Sequence, residues 1–247
     1  MIRFDRNAAI AGASALALSL AAGSARADSS GMEWLGIAYL WAADIEVDAR
    51  DVNEDISFSD TVENLEMGFQ GHVEAQAEDF GGFVDVSFMA VGTNEVQQGI
   101  RVNTDVDMTA MDLAFVWSPA EESFTGIEVY GGLRYVETDF DLVIDPEPPG
   151  PGPPVLQTGV DKSYYDFLLG ARYAAPINDH WRLVFNADLS EGDTEGTWSV
   201  GGFGVYRTGQ HRFYAGYRHV EMDLPGAAGE TVTETFSGPA IAYGFAF

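Results

Sequence analysis

The 247-residue sequence has no cysteine and only 12 Lys and Arg against 39 Asp and Glu. Outside its first residues it has no unbroken apolar run near the ~18 residues of a membrane-spanning helix. The missing cysteine excludes a disulfide framework, a thiolate nucleophile and a Cys-ligated zinc site. The formal charge of −27 excludes nucleic acid as a partner, because binding a phosphate backbone needs a basic surface. No Gly-rich loop leads into a helix, no His/Asp/Glu group has zinc spacing, and no loop carries a spaced calcium motif. No cofactor is expected.

What is present starts at the N-terminus. Arg3 and Arg6 precede an apolar stretch from Ala8 to Ala22, followed by Ser24-Ala25-Arg26-Ala27. A charged start, an apolar run too short to cross a bilayer and a small-x-small site predict a secretory signal cut after Ala27. Residues 1–27 are therefore set apart from the fold, and 28–247 form one domain of about 220 residues.

Ten segments of that domain alternate with period two, as half-buried strands do: 34–48, 67–77, 82–95, 105–117, 125–139, 163–174, 181–190, 198–206, 211–222 and 235–247. Should the Gly-heavy 198–206 fail as a strand, eight is the alternative count. Short links (77–81, 118–123, 175–180, 207–211) alternate with mostly longer, acidic ones (49–66, 96–104, 140–162, 191–197, 223–234).

Charge fixes which face of each strand points where. Ile127, Val129, Leu133 and Tyr135 oppose Glu128, Tyr130 and Arg134; Tyr165, Phe167, Leu169 and Tyr173 oppose Asp166 and Arg172. Trp181, Leu183, Phe185 and Leu189 oppose Arg182 and Asp188, and Phe213 and Tyr217 oppose Arg218. An Arg facing lipid at mid-depth costs about 2–4 kcal/mol, so apolar rings point outward and charges inward. By the same alternation, the first strand sets Leu35, Ile37, Tyr39 and Trp41 outward against Gly36, Ala38, Leu40 and Asp44. A soluble sandwich has no need of rings outside and charges inside. A membrane protein without spanning helices must be a closed barrel, since every backbone polar group has to be satisfied internally.

The last segment places Ile241, Tyr243, Phe245 and Phe247 at every second position and stops on Phe. This resembles the closing strand of a Gram-negative outer-membrane β-barrel of the small OmpA-transmembrane-domain or OmpW kind. The resemblance implies a closed antiparallel transmembrane barrel with short periplasmic turns and longer outer loops. It also implies a C-terminal signal read by the barrel-assembly machinery after passage with periplasmic chaperones, and outer-membrane lipid and lipopolysaccharide as neighbours. Trp34, Trp117, Trp181, Tyr206 and Phe247 mark the periplasmic aromatic girdle, with Tyr39, Trp41 and Tyr135 higher up. With the barrel reaching the last residue, no cell-wall-binding domain is expected to follow it.

The inward set Glu128, Arg134, Asp166, Arg172, Arg182, Asp188 and Arg218, joined by His72, Glu74, Asp85 and Asp112, supports two readings. One is a salt-bridge network filling a narrow lumen; the other is a constricted pore with a transverse field. A lipid-modifying enzyme is the alternative from another class. Ser237, His219 and Glu221 share the outward face of the last two strands near the outer rim, vaguely like a lipid A deacylase, but without that family's His-x-Ser pattern. His180 and His211 read as surface residues in the turns. A third reading gives function to the loops. Residues 59–65 suggest a helical turn able to act as a lid, the Pro/Gly segment 145–154 suggests a stiff spur, and the acidic loops offer sites for divalent cations.

Overall fold

The computed structural model describes residues 31–49, 52–56, 65–97, 99–120, 122–146, 156–226 and 230–247. The expected signal segment, all of the expected helical turn at 59–65 except Leu65, and most of the Pro/Gly spur lie outside the described residues. In chain order the strands are β1 (Met32–Trp41), β2 (Asp44–Ala49), β3 (Val52–Ile56), β4 (Leu65–Ala77), β5 (Phe80–Gln97), β6 (Ile100–Trp117), β7 (Gly126–Pro146), β8 (Leu156–Pro176), β9 (Trp181–Gly192), β10 (Gly196–Thr208), β11 (His211–Pro225) and β12 (Thr231–Ala246).

β1 pairs antiparallel with β4, β4 to β12 pair antiparallel in chain order, and β12 pairs back onto β1, closing a barrel of ten staves. β2 carries the first stave onward, because Trp41↔Ala240 and Asp44↔Ser237 keep one register on β12. β3 pairs with β2 beyond the closed part. All ten expected segments are strands, including the Gly-heavy β10, which pairs with both neighbours along its length.

The alternation holds as charge requires. Leu113, Ile127, Leu133, Phe167, Leu169, Phe185 and Ile241 are exposed on the outer surface, Phe167 by 77%, while Glu128, Arg134, Asp166 and Arg182 are buried inside. A continuous apolar belt of this extent does not persist in water. Near the short turns it is rimmed by aromatic pairs, Trp34–Phe247 stacked and Phe80–Phe115, Trp181–Tyr206 and Phe213–Tyr243 tilted.

Strand β1 departs from its expected orientation. Leu35 and Ile37 are buried, Tyr39 lines the interior and Trp41 packs there too, whereas Leu40 is 64% exposed. Neither face of 34–41 carries a charge, so no desolvation penalty decides between them. Packing decides instead: Leu35 and Ile37 join Phe124 and Ala242 in an interior cluster. Tyr39 and Trp41 therefore do not belong to a girdle.

The outer connections are the second departure. Segments 96–104 and 140–162, expected as loops, are largely strand: β5 and β6 pair out to Gln97↔Ile100, and β7 and β8 out to Ile144↔Leu156. β7 and β8 have 21 residues each, well beyond the ~9–11 that cross a hydrocarbon layer, so this wall rises past the belt. Along it the polarity inverts. Val136 and Tyr164 are buried on the inner side, while Asp139, Asp141 and Asp161 are exposed on the outer one.

The staves come close where glycine lets them. A Cβ on Gly132 would stand 1.9 Å from the Leu113 carbonyl oxygen on β6. Backbone cannot yield as a flexible side chain does, so we expect Gly132→Ala to destabilise the barrel by about 1–3 kcal/mol. The readout is a lower urea midpoint for loss of the compact, SDS-resistant form; an unchanged midpoint would contradict this packing.

Candidate functional site

Apart from Arg101, every Lys and Arg among the described residues lies on the inward face of its strand. The charges there sort into groups that can be followed from one end of the barrel to the other.

The first group centres on Arg172 (β8). Its Nε donates to Glu128 Oε2 at 2.5 Å and one terminal nitrogen donates to both oxygens of Glu74 at 2.7 and 2.9 Å. His72 lies between Glu74 (3.0 Å) and Asp85 (3.2 Å). Gln76 Nε2 donates to Glu74 and Glu128 at 2.7 and 2.6 Å. Glu74 and Glu128 are fully buried, so these donors replace all of their water.

The second group centres on Arg134 (β7). Its Nε and one terminal nitrogen grip Asp112 bidentately at 2.8 Å each, and the same terminal nitrogen reaches Asp188 at 3.0 Å. Ser199 Oγ completes Asp188 at 2.5 Å. Asp166 faces inward as expected but stays outside the ion pairs. Its carboxylate accepts from Ser190 Oγ, Thr194 N and Thr194 Oγ1, tying down the β9–β10 turn. Arg218 likewise has no carboxylate partner among the described residues; its guanidinium lies 5.1 Å from the Trp41 ring centroid.

The link 118–123 was expected to be a plain connection, yet Phe124, directly after it, enters the barrel mouth. Phe124 has φ of 58°, a left-handed backbone that a bulky side chain adopts only when its surroundings impose it. Those surroundings are visible. Its N–H donates to Gln76 Oε1 at 2.9 Å, its carbonyl accepts from Arg182 at 3.1 Å, and the Arg212 guanidinium sits 5.2 Å from its ring centroid. The ring is buried against Leu35, Ile37 and Ala242. The strand pattern gave no sign of this, since Phe124 reads as one more apolar residue entering β7.

A second apolar layer closes the other end. Met108 from β6, with Met89 from β5, meets Ile45, Val220 and Phe236 from the opposite wall, and Val136 and Tyr164 meet Met222 and Leu224. Lys162 Nζ also reaches the Pro225 carbonyl at 2.9 Å. Between the two layers lies a cavity of about 140 Å³, lined by both ion-pair groups and by Phe83, Tyr130, Phe203 and Tyr214.

On the outer face, Ser237 stands directly opposite His219 in the β11–β12 register, and Thr235 opposite Glu221. The three side chains share no hydrogen bond. The His219 ring packs against Trp198, tilted, with centroids 4.7 Å apart, and Glu221 accepts the Trp198 indole N–H at 3.0 Å. Ile241 and Tyr243 are exposed on the belt, and Phe245 and Phe247 stack at its rim at 5.9 Å. His180 and His211 lie exposed at the short turns, as expected. Among the described residues, no group of His, Asp or Glu is arranged to hold a metal ion.

No family model and no curated protein matches this chain. Solved structures do. The chain is similar to the outer membrane protease OmpT from Escherichia coli at 8% identity and TM-score 0.56, over 91% of this chain and 99% of that one. It also matches Ail, the attachment invasion locus protein of Yersinia pestis, solved with the heparin analogue sucrose octasulfate (11% identity, TM-score 0.42, 88% and 99%). A third match is Neisserial surface protein A (12% identity, TM-score 0.33, 86% and 96%). At these identities the likeness is one of fold, and the OmpT match supports the closed ten-stave barrel.

Removing one member of a buried pair leaves the other charged and dry. We expect Arg172→Ala, which strands Glu74 and Glu128 together, to cost about 3–5 kcal/mol. A urea titration of the detergent-folded barrel measures it. A loss below the ~1 kcal/mol of an exposed pair would mean that water reaches these carboxylates.

Proposed function

We propose that this chain is a non-enzymatic outer-membrane β-barrel of a Gram-negative bacterium, a narrow channel held shut at rest. The short-turn end then faces the periplasm and the tall hairpin wall faces outside. The apolar belt and aromatic rims support this placement, as does the alternate spacing of Ile241, Tyr243, Phe245 and Phe247, the pattern the assembly machinery would read. Lipid and lipopolysaccharide are its neighbours on this reading.

One observation carries the channel. A charge-lined lumen is pinched at both ends by apolar residues, and at the periplasmic end the pinch is Phe124, held on a turn rather than a strand. A turn can swing without breaking the barrel's hydrogen-bonded wall. Opposed arginines and carboxylates inside would then meet a passing solute.

Wild-type protein in a planar bilayer is expected to give no discrete current. Phe124→Gly, which suits the positive φ, combined with Phe236→Ala is expected to give discrete steps. Steps from the wild type would overturn closure, and silence from a properly folded double variant would leave a purely structural barrel. The non-enzymatic reading has its own test. Glu221 and His219 are engaged by Trp198 rather than by Ser237, so Ser237→Ala should leave the lipid A and phospholipid profile of expressing cells unchanged. A product lost in that variant would restore the lipid-hydrolase reading.

A further inference from the structure

The periplasmic mouth of the lumen holds an excess of positive charge that the ion-pair groups do not absorb. Arg182 (β9), Arg207 (β10) and Arg212 (β11) come from three adjacent strands, and all line the cavity. Arg207 and Arg212 are direct cross-strand partners, a placement in which like charges oppose one another at close range. Among the described residues one carboxylate serves the group: a single oxygen of Glu122 accepts from Arg182 at 2.5 Å and from Arg207 at 3.1 Å. Arg212 forms no ion pair among the described residues; its face is spent on the Phe124 ring. Over the described residues, three guanidiniums against one carboxylate leave a local excess of two positive charges in a chain whose net charge is strongly negative.

The two partners of this arrangement differ in how they are held. Arg182 is 5% exposed and its other terminal nitrogen is fixed on the Phe124 carbonyl, so it is a rigid, desolvated donor. The Glu122 side chain is 63% exposed, on the turn, and only one of its oxygens is engaged. An exposed carboxylate on a turn is the more easily exchanged of the two. Guanidiniums, with their planar fork of donors, match oxyanions better than any other side chain does. Their location on three rigid staves keeps the donors in place when no carboxylate is bound.

The geometry points to a binding site for a divalent oxyanion of the phosphate class, built from Arg182, Arg207 and Arg212 and reached from the periplasm, with Glu122 as the resident group it displaces. With Glu122 displaced the three guanidiniums carry three positive charges, of which a divalent anion balances two where Glu122 balances one, and losing Glu122 removes one of the contacts that hold the turn carrying Phe124. The binding step does not require that the lumen conduct, so it stands or falls separately from the channel.

The test uses the full mature chain folded in detergent, with inorganic phosphate as the probe and sodium chloride at matched ionic strength as the control. Phosphate is expected to broaden its own ³¹P resonance saturably on adding protein, and to raise the thermal midpoint above the chloride control. Glu122→Gln, which removes the competing carboxylate, is expected to reach half-saturation at a several-fold lower phosphate concentration. Arg207→Gln/Arg212→Gln is expected to lose both signals. The Glu122→Gln variant carries the test even if the double arginine variant fails to fold. Equal effects of phosphate and chloride on the wild type would overturn the site, as would a Glu122→Gln response identical to wild type.

Discussion

The barrel depends on joining its first stave to its last. Trp34 and Phe247 exchange two backbone hydrogen bonds of 2.9 Å, and their rings stack with centroids 6.4 Å apart. From there β1 and β12 zip in register to Trp41↔Ala240. An open sheet would present two rows of unpaired amides and carbonyls, each costing several kcal/mol in hydrocarbon; closure leaves none along the joined staves. Closure at ten staves also sets the bore. A cylinder this narrow brings opposite walls within side-chain reach, so whatever faces inward must pack or pair across the axis.

That requirement explains the layering. Arginines on β7 and β8 reach carboxylates on adjacent and on distant strands, as Arg172 does to Glu128 on β7 and to Glu74 on β4. Such pairs are strong only where water is kept out, because the same attraction weakens severalfold in a high dielectric. The apolar layers above and below them, Met108 with Phe236 at one end and Phe124 at the other, exclude that water. Small residues make the space: a Cβ on Gly170 would fall 2.3 Å from the Tyr130 ring, so that ring can lie across the bore only because position 170 is glycine.

The same physics decides what could be read in the residues beforehand. Where a strand carries an inward Arg, as β7, β8, β9 and β11 do, the cost of exposing it to lipid settles the face, and those strands were legible. β1 has no such marker, and its orientation depends on what Leu35 and Ile37 meet from Phe124, a residue far away in sequence. The tall wall was missed for a different reason. Leu133 and Asp139 share the outer face of β7, and Arg134 and Val136 share the inner one. The polarity thus reverses as the strand leaves the belt, and a rule tuned to apolar-outside reads the reversed part as loop. Among the charges, alternation speaks to which side chains face the lumen but not to which partners they meet there. Asp166 satisfied by Ser190 and Thr194, and Arg218 stacked on Trp41, depend on rotamers and neighbours that alternation does not encode.

Gln76 joins the turn-end plug to the ion-pair layer. Its amide nitrogen donates to Glu74 and Glu128, the two carboxylates gripped by Arg172, while its oxygen accepts the Phe124 N–H. A turn that withdrew would take away the last of these bonds and admit water to the first two. The carboxylates would be rehydrated as their pairing to Arg172 weakened, so part of the cost of opening would be recovered within the lumen. The reverse also holds: a dry, fully paired network keeps the Gln76 oxygen pointed at Phe124 and favours the closed turn. Strain at the positive φ of Phe124, worth about 1–3 kcal/mol, opposes that preference. The observed turn therefore balances an unfavourable backbone against hydrogen bonds that exist only while the mouth stays dry, and on the channel reading its occupancy should respond to small changes at Arg182, Glu122 or Gln76.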